Sequence, residues 1–135
     1  MIAVAGTWEL GWQVPITESE LWLMVLKEFK IHQLHMTPVT GIAKKWISEY
    51  SSFDELLSSL ESFTPVFVDE NGATELDDFD HPEDALYVFG KGTYSPFSHR
   101  ATQHLSVRIG TPKPGCLWPH QALAIVLHDR ERKKH

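Results

Sequence analysis

Cysteine is almost missing: the 135-residue chain has one, Cys116. A single thiol excludes an internal disulfide framework and fits a reducing, cytoplasmic setting. Long apolar runs are missing too, since none reaches the roughly 18 residues that would mark a membrane helix. The first residues, MIAVAGTWELGW, lack the basic flank and continuous apolar core of a secretory signal. Positive charge is in deficit. Twelve Lys and Arg stand against 18 Asp and Glu, a formal net charge of −6, which argues against non-specific coating of nucleic acid but leaves room for a local basic patch. Basic residues gather late, at Arg108, Lys113, Arg130, Arg132, Lys133 and Lys134. The final run suits a solvated helix end whose cations complement the helix dipole. Metal-site patterns are lacking as well. The eight histidines form no His-Glu-x-x-His run and have no cysteine cluster beside them. His32 and His35 would point to opposite faces of a strand. Gly90-Lys91-Gly92-Thr93 lacks the Lys-Ser/Thr dyad and spacing of a phosphate-binding P-loop.

What is present is an ordinary globular composition, 42% apolar and 22% charged, in a length that suits one domain over residues 1–135. Short apolar runs alternate with helical patterns. Strands are expected at Ile2–Ala5, Ile31–Met36, Lys45–Tyr50, Val66–Val68, Ala85–Phe89 and Leu105–Ile109. Thr17 and Glu20 have the spacing of a capping box, and so do Ser52 and Glu55. The first would open a helix with Leu21, Trp22, Met24, Val25, Leu26 and Phe29 on a broad apolar face. The second would open one carrying Phe53, Leu56, Leu57 and Leu60, with Pro65 as its stop. The last helix should run from Pro119, proline being suited to a first helical turn, to about Arg132. Leu76–Glu83 reads as a solvated acidic connector. Strands alternating with helices predict an α/β fold with a mainly parallel sheet covered on both faces.

The most telling stretch is the last third. ALYVFGKGTYSPF (Ala85–Phe97) is a strand running into a glycine loop. LSVRIG (Leu105–Gly110) is a second strand, and TPKPGCLWPHQALAIVLHDRERK (Thr111–Lys133) is a second loop followed by a helix. Glycine-bearing loops at the C-terminal ends of apolar strands are where open α/β sheets bind ligands. Tyr94, Phe97 and Trp118 fall in these loops, where they could stack on a base or simply pack. A receiver-like or nucleotide-binding α/β domain fits less well, with neither an acidic pair after the first strand nor a P-loop.

The order and spacing of these motifs resemble the SPOUT class, the trefoil-knotted RNA methyltransferases that use S-adenosylmethionine. Phe89-Gly90 matches the start of that family's Phe-Gly-x-Glu-x-x-Gly signature, with Gly92 and Ser95 in place of its glutamate and last glycine. Ile109-Gly110 stands where Ile-Pro would, and Cys116-Leu117-Trp118 where Ser-Leu-Asn would, with Ala122 matching on the helix. Glu18, Glu20 and Met24 occupy the places of the asparagine, glycine and arginine of the first signature. In the middle of the chain, Ser52–Leu57 and Asp69–Gly72 follow the family layout.

The resemblance implies an α/β fold with a mainly parallel sheet, helices on both faces and a C-terminal trefoil knot. It implies S-adenosylmethionine held largely by backbone groups of three loops, which brings in Asp69, Phe89, Gly90, Gly92, Ile109, Cys116, Leu117, Trp118 and Ala122. It also implies a tRNA or rRNA substrate and a homodimer, with neither a metal nor a membrane involved. Met24 cannot do what a signature arginine does, so the catalytic candidates are Glu20, Arg100 and His120. Each has a plainer reading: capping partner, solvated loop charge and surface residue, respectively. Cys116 is either a small loop residue or a nucleophile. The alternative function is a catalytically degenerate relative that binds RNA or a protein partner.

Overall fold

Seven strands form one sheet in which every strand pairing among the described residues is parallel. The computed structural model describes residues 1–9, 14–90, 104–112 and 117–134. Among the described residues the elements are, in chain order, β1 (Ala3–Thr7), α1 (Pro15–Glu28), β2 (Leu34–Thr37), β3 (Ile47–Glu49), α2 (Phe53–Ser59), β4 (Thr64–Val68), β5 (Thr74–Glu75), a 3₁₀ turn (Leu76–Asp78), β6 (Ala85–Phe89), β7 (Leu105–Arg108) and α3 (Pro119–Lys133). The strands lie in the order β3-β2-β1-β6-β4-β7-β5. β1 and β6, at the centre, are buried along their whole length, as expected of parallel strands covered on both faces.

Alternation along the strands divides the core into two layers. Val4, Val66, Tyr87, Phe89 and Val107 pack with Trp22 and Leu26 of α1 and with Leu123, Val126 and Leu127 of α3. Ala5, Phe67, Leu86 and Val88 pack with Leu56 of α2. Each fully buried Leu, Val or Phe contributes roughly 1.5–3 kcal/mol, so these layers dominate the stability. Gly6 lets α1 approach closely, since a Cβ there would lie 2.9 Å from Cη2 of Trp22.

Helix starts follow local chemistry, with one correction. Ser52 caps α2 by accepting the Glu55 N–H at 3.1 Å. α1 does not use the Thr17–Glu20 box. It begins at Pro15 with no side-chain cap, so both residues already lie inside the helix and are exposed; the proline at the first helical position sets the start. Pro119 does the same for α3, where the Trp118 N–H donates to Oε1 of Gln121 at 3.0 Å.

Two further expectations are corrected. The acidic connector is partly core: Leu76 and Phe79 are buried, because the 3₁₀ turn rotates them inward among the acidic residues. The basic run at the end of α3 is not simply solvated. Arg130 donates to the carbonyls of Pro82 and Glu83 and to the Tyr87 hydroxyl, and Lys133 donates to the carbonyls of Leu76 and Phe79. The helix end is thereby fastened to the connector.

The segment that most constrains the site is short. β7 lies between β4 and β5, and Val68 and Thr74 both pair with Val107. The chain from Asp69 to Ala73 must therefore cross a face of β7. Asp69 N–H donates to Val107 O at 3.0 Å and Ala73 N–H to Ser106 Oγ at 2.8 Å. Gly72 sits at the crossing, where a Cβ would be 2.6 Å from Val107 O and 2.8 Å from Arg108 N. Nη1 of Arg108 closes the arch by donating to Gly72 O at 2.8 Å. The expected C-terminal knot depends on the path of residues 91–103 and 113–116, which lie outside the described residues.

Candidate ligand site at the strand ends

Adjacent parallel strands bring their C-terminal ends to one edge, where open sheets form ligand crevices. Val68 pairs with Phe89 on one side and Val107 on the other. Asp69, Gly90 and Ile109 follow the ends of three neighbouring strands, so their juxtaposition is a consequence of strand order. Phe89 is buried edge-on against Trp22, with ring centroids 6.0 Å apart. Ile109 and Leu117 are half-buried against the same core layer, and Ala122 is buried on α3. Trp118 is 48% exposed at the start of α3. Gly92, Cys116 and Arg100, together with Tyr94 and Phe97, lie outside the described residues.

Asp69 is buried, and three of its four polar groups are used locally. Its N–H bonds Val107, its carbonyl accepts the Gly72 N–H at 2.9 Å, and Oδ1 accepts the Asn71 N–H at 2.9 Å. Oδ2 is closed off from solvent and has no hydrogen-bond partner among the described residues. A buried carboxylate oxygen without a donor is costly, and in native structures such a group calls for an explanation.

Of the catalytic candidates, Glu20 is exposed on α1 and His120 is half-buried at the second position of α3. Burial lowers the His120 pKa, while the charge of Glu18 raises it in part. Glu18, not Glu20, is thus the carboxylate that acts on His120. Glu18 is buried, accepts the Glu9 N–H through both oxygens at 2.7 and 2.9 Å, and accepts Nε1–H of Trp22 at 3.3 Å. The signal in the sequence is its place four residues before Trp22, one helical turn away.

A second polar cluster lies toward the other end of α3. His81 bonds the Tyr87 hydroxyl through Nδ1 and Oδ2 of Asp129 through Nε2, both at 2.7 Å. Burial lowers the His81 pKa; Asp129 opposes that, and Lys133 and Arg130 add to it. For Asp129, burial alone would raise the carboxyl, but hydrogen bonds from Lys133, His81 and Arg132 outweigh it and hold the group at about 2. These groups are all paired with one another and form a structural lock.

Among the described residues, no group of three or more His, Cys, Asp or Glu side chains is arranged to hold a metal ion. No helix among them is long and apolar enough to cross a membrane. The strand-end edge does suit the nucleoside part of S-adenosylmethionine. It offers a carboxylate oxygen at Asp69, backbone groups at Gly90 and the half-buried apolar side chain of Ile109.

No protein-family model matches the sequence, and no curated protein matches it significantly. Solved structures do match. A structure concerned with the 2-OH methylation of C/U34 on tRNA superposes with a TM-score of 0.74 at 14% identity, covering 99% of this chain and 96% of that one. The SpoU methyltransferase AviRb from Streptomyces viridochromogenes gives 0.77 at 15% identity over 99% of this chain and 60% of its own; the same protein has been solved with AdoMet. The A. aeolicus TrmH/SpoU tRNA modifying enzyme gives 0.68 at 14% identity, covering 98% and 75%. At such identities the likeness is one of fold: the chain has the fold of the SpoU-type RNA methyltransferases.

Proposed function

We propose that this chain is an S-adenosylmethionine-dependent RNA methyltransferase, with residues 1–135 as its one catalytic domain, acting on tRNA or rRNA as a cytoplasmic homodimer. The observation that carries this reading is the meeting of three strand ends beside the Asp69–Ala73 arch, in a SpoU-type fold. Asp69, Phe89, Gly90, Gly92, Ile109, Cys116, Leu117, Trp118 and Ala122 would line the donor site. When bound, S-adenosylmethionine supplies an electrophilic methyl group. The chain's residues must then orient the acceptor and take up the proton it releases. His120 suits the role of proton acceptor. Burial favours its neutral form near neutral pH, and the nearby charge of Glu18 would stabilise the imidazolium that results. Glu20 and Arg100 are the other two catalytic candidates. Homodimer formation is supported by Ile16 and Met24 on α1, and by Trp118 and Ile125 at and on α3, all large apolar residues left exposed.

The test is transfer of labelled methyl from S-adenosylmethionine to unmodified tRNA and rRNA. Incorporation is expected, reduced about 100-fold or more by His120→Ala, on the order of the effect of losing a general base. One observation favours the degenerate alternative: Met24, at the place of the signature arginine, is 68% exposed on α1 and can neither take a proton nor stabilise an anion. Donor binding without incorporation into either RNA would support that second reading.

A further inference from the structure

We infer that Oδ2 of Asp69 is the acceptor for a ribose hydroxyl of the donor nucleoside, an assignment that rests on the function proposed above. Every other polar group of Asp69 is committed to the arch, through Val107 O, the Gly72 N–H and the Asn71 N–H. The Asn71 bond to Oδ1 fixes the carboxylate, so Oδ2 cannot turn toward solvent without breaking it. Arg108, the cation on the same arch, is engaged elsewhere: Nη1 donates to Gly72 O at 2.8 Å and Nη2 lies 3.6 Å from Glu75. A buried acceptor that has no partner among the described residues, at the C-terminal end of a parallel strand, is suited to a ligand that brings its own donor. A neutral hydroxyl fits the single free oxygen, and a carboxylate beside a strand end is how other open α/β sheets hold ribose.

The experiment is calorimetric titration of the full chain with S-adenosylhomocysteine and with its 2′-deoxy and 3′-deoxy forms, repeated on Asp69→Asn. Asparagine keeps an oxygen for the Asn71 N–H while removing the charged acceptor. Wild type should bind one deoxy form about tenfold or more weakly than the parent, the usual size of a lost hydrogen bond to a charged group. Asp69→Asn should bind the parent about tenfold more weakly and distinguish the deoxy form less than wild type, because its amide N–H can only donate a neutral hydrogen bond to the hydroxyl. Equal wild-type affinity for all three ligands overturns the assignment without any variant. Discrimination that persists undiminished in Asp69→Asn overturns it as well, and leaves the proposed function standing. No binding of the parent compound to wild type removes both.

Discussion

His81 and Asp129 show how single residues set the response of this chain to acid. Asp129 has a depressed pKa, about 2 against an ordinary 3.8, so its contribution is present above about pH 4 and is lost as pH falls through about 2. That contribution is on the order of 2 kcal/mol. His81 is also lowered, from 6.5, which means the folded chain prefers it neutral. Its contribution is present above pH 6.5 and declines as acid charges the unfolded chain preferentially. Urea midpoints should therefore fall between about pH 7.5 and 5, and His81→Gln should flatten that step; a wild-type profile level over this range would contradict the lock. None of this is legible in the sequence, where His81 stands among acidic residues that resemble a solvated connector. The fold joins residues 48 positions apart, and local patterning carries no trace of such a pair. The same limit hides the open oxygen of Asp69, although its place at a strand end marks the residue itself. Glu18 and Glu20 are separable only by knowing where α1 starts.

Elements are more legible where pattern and packing agree. β6 and α3 lie where apolar runs, Pro119 and the polar flanks place them, and α2 starts at its Ser52 cap. β5 leaves no sequence signal because two residues carry no periodicity; it exists through its pairing with β7. Pro65, a helix stop by sequence, instead sits near the start of β4, ahead of Val66, the first residue paired with β7, a position that tolerates a missing N–H. The arch makes the strongest demand on sequence. Gly72→Ala would drive a methyl group into the backbone of Val107 and Arg108, so β7 or the arch must move. The expected loss is several kcal/mol, above the usual ~1–3 kcal/mol for overpacking because backbone cannot yield as a side chain does. Chemical denaturation checks it, and a loss below about 1 kcal/mol would show that the arch does not grip β7. Leu123→Ala, in the middle of α3 and fully buried, should cost about 2–5 kcal/mol by the same measurement.

At the scale of the whole molecule, the parallel sheet follows from alternating strands and helices, and the strand order then sets Asp69, Gly90 and Ile109 side by side. Sequence motifs point to that edge because Phe89-Gly90 and Ile109-Gly110 are local. Partner surfaces are less legible, since an exposed Met24 and a buried Trp22 look alike in an apolar helix. If the exposed residues of α1 and α3 meet a second copy, Met24→Lys combined with Ile125→Glu should convert dimer to monomer in light scattering at micromolar concentration. A wild-type monomer under the same conditions would remove the proposed assembly. The central claim is that the strand-end edge holds the methyl donor, and calorimetric titration of the wild-type chain with S-adenosylmethionine tests it most directly. Saturable binding of one ligand per chain, weakened about tenfold or more by Gly90→Val with the fold retained, is the predicted result. No detectable heat with millimolar ligand would contradict it.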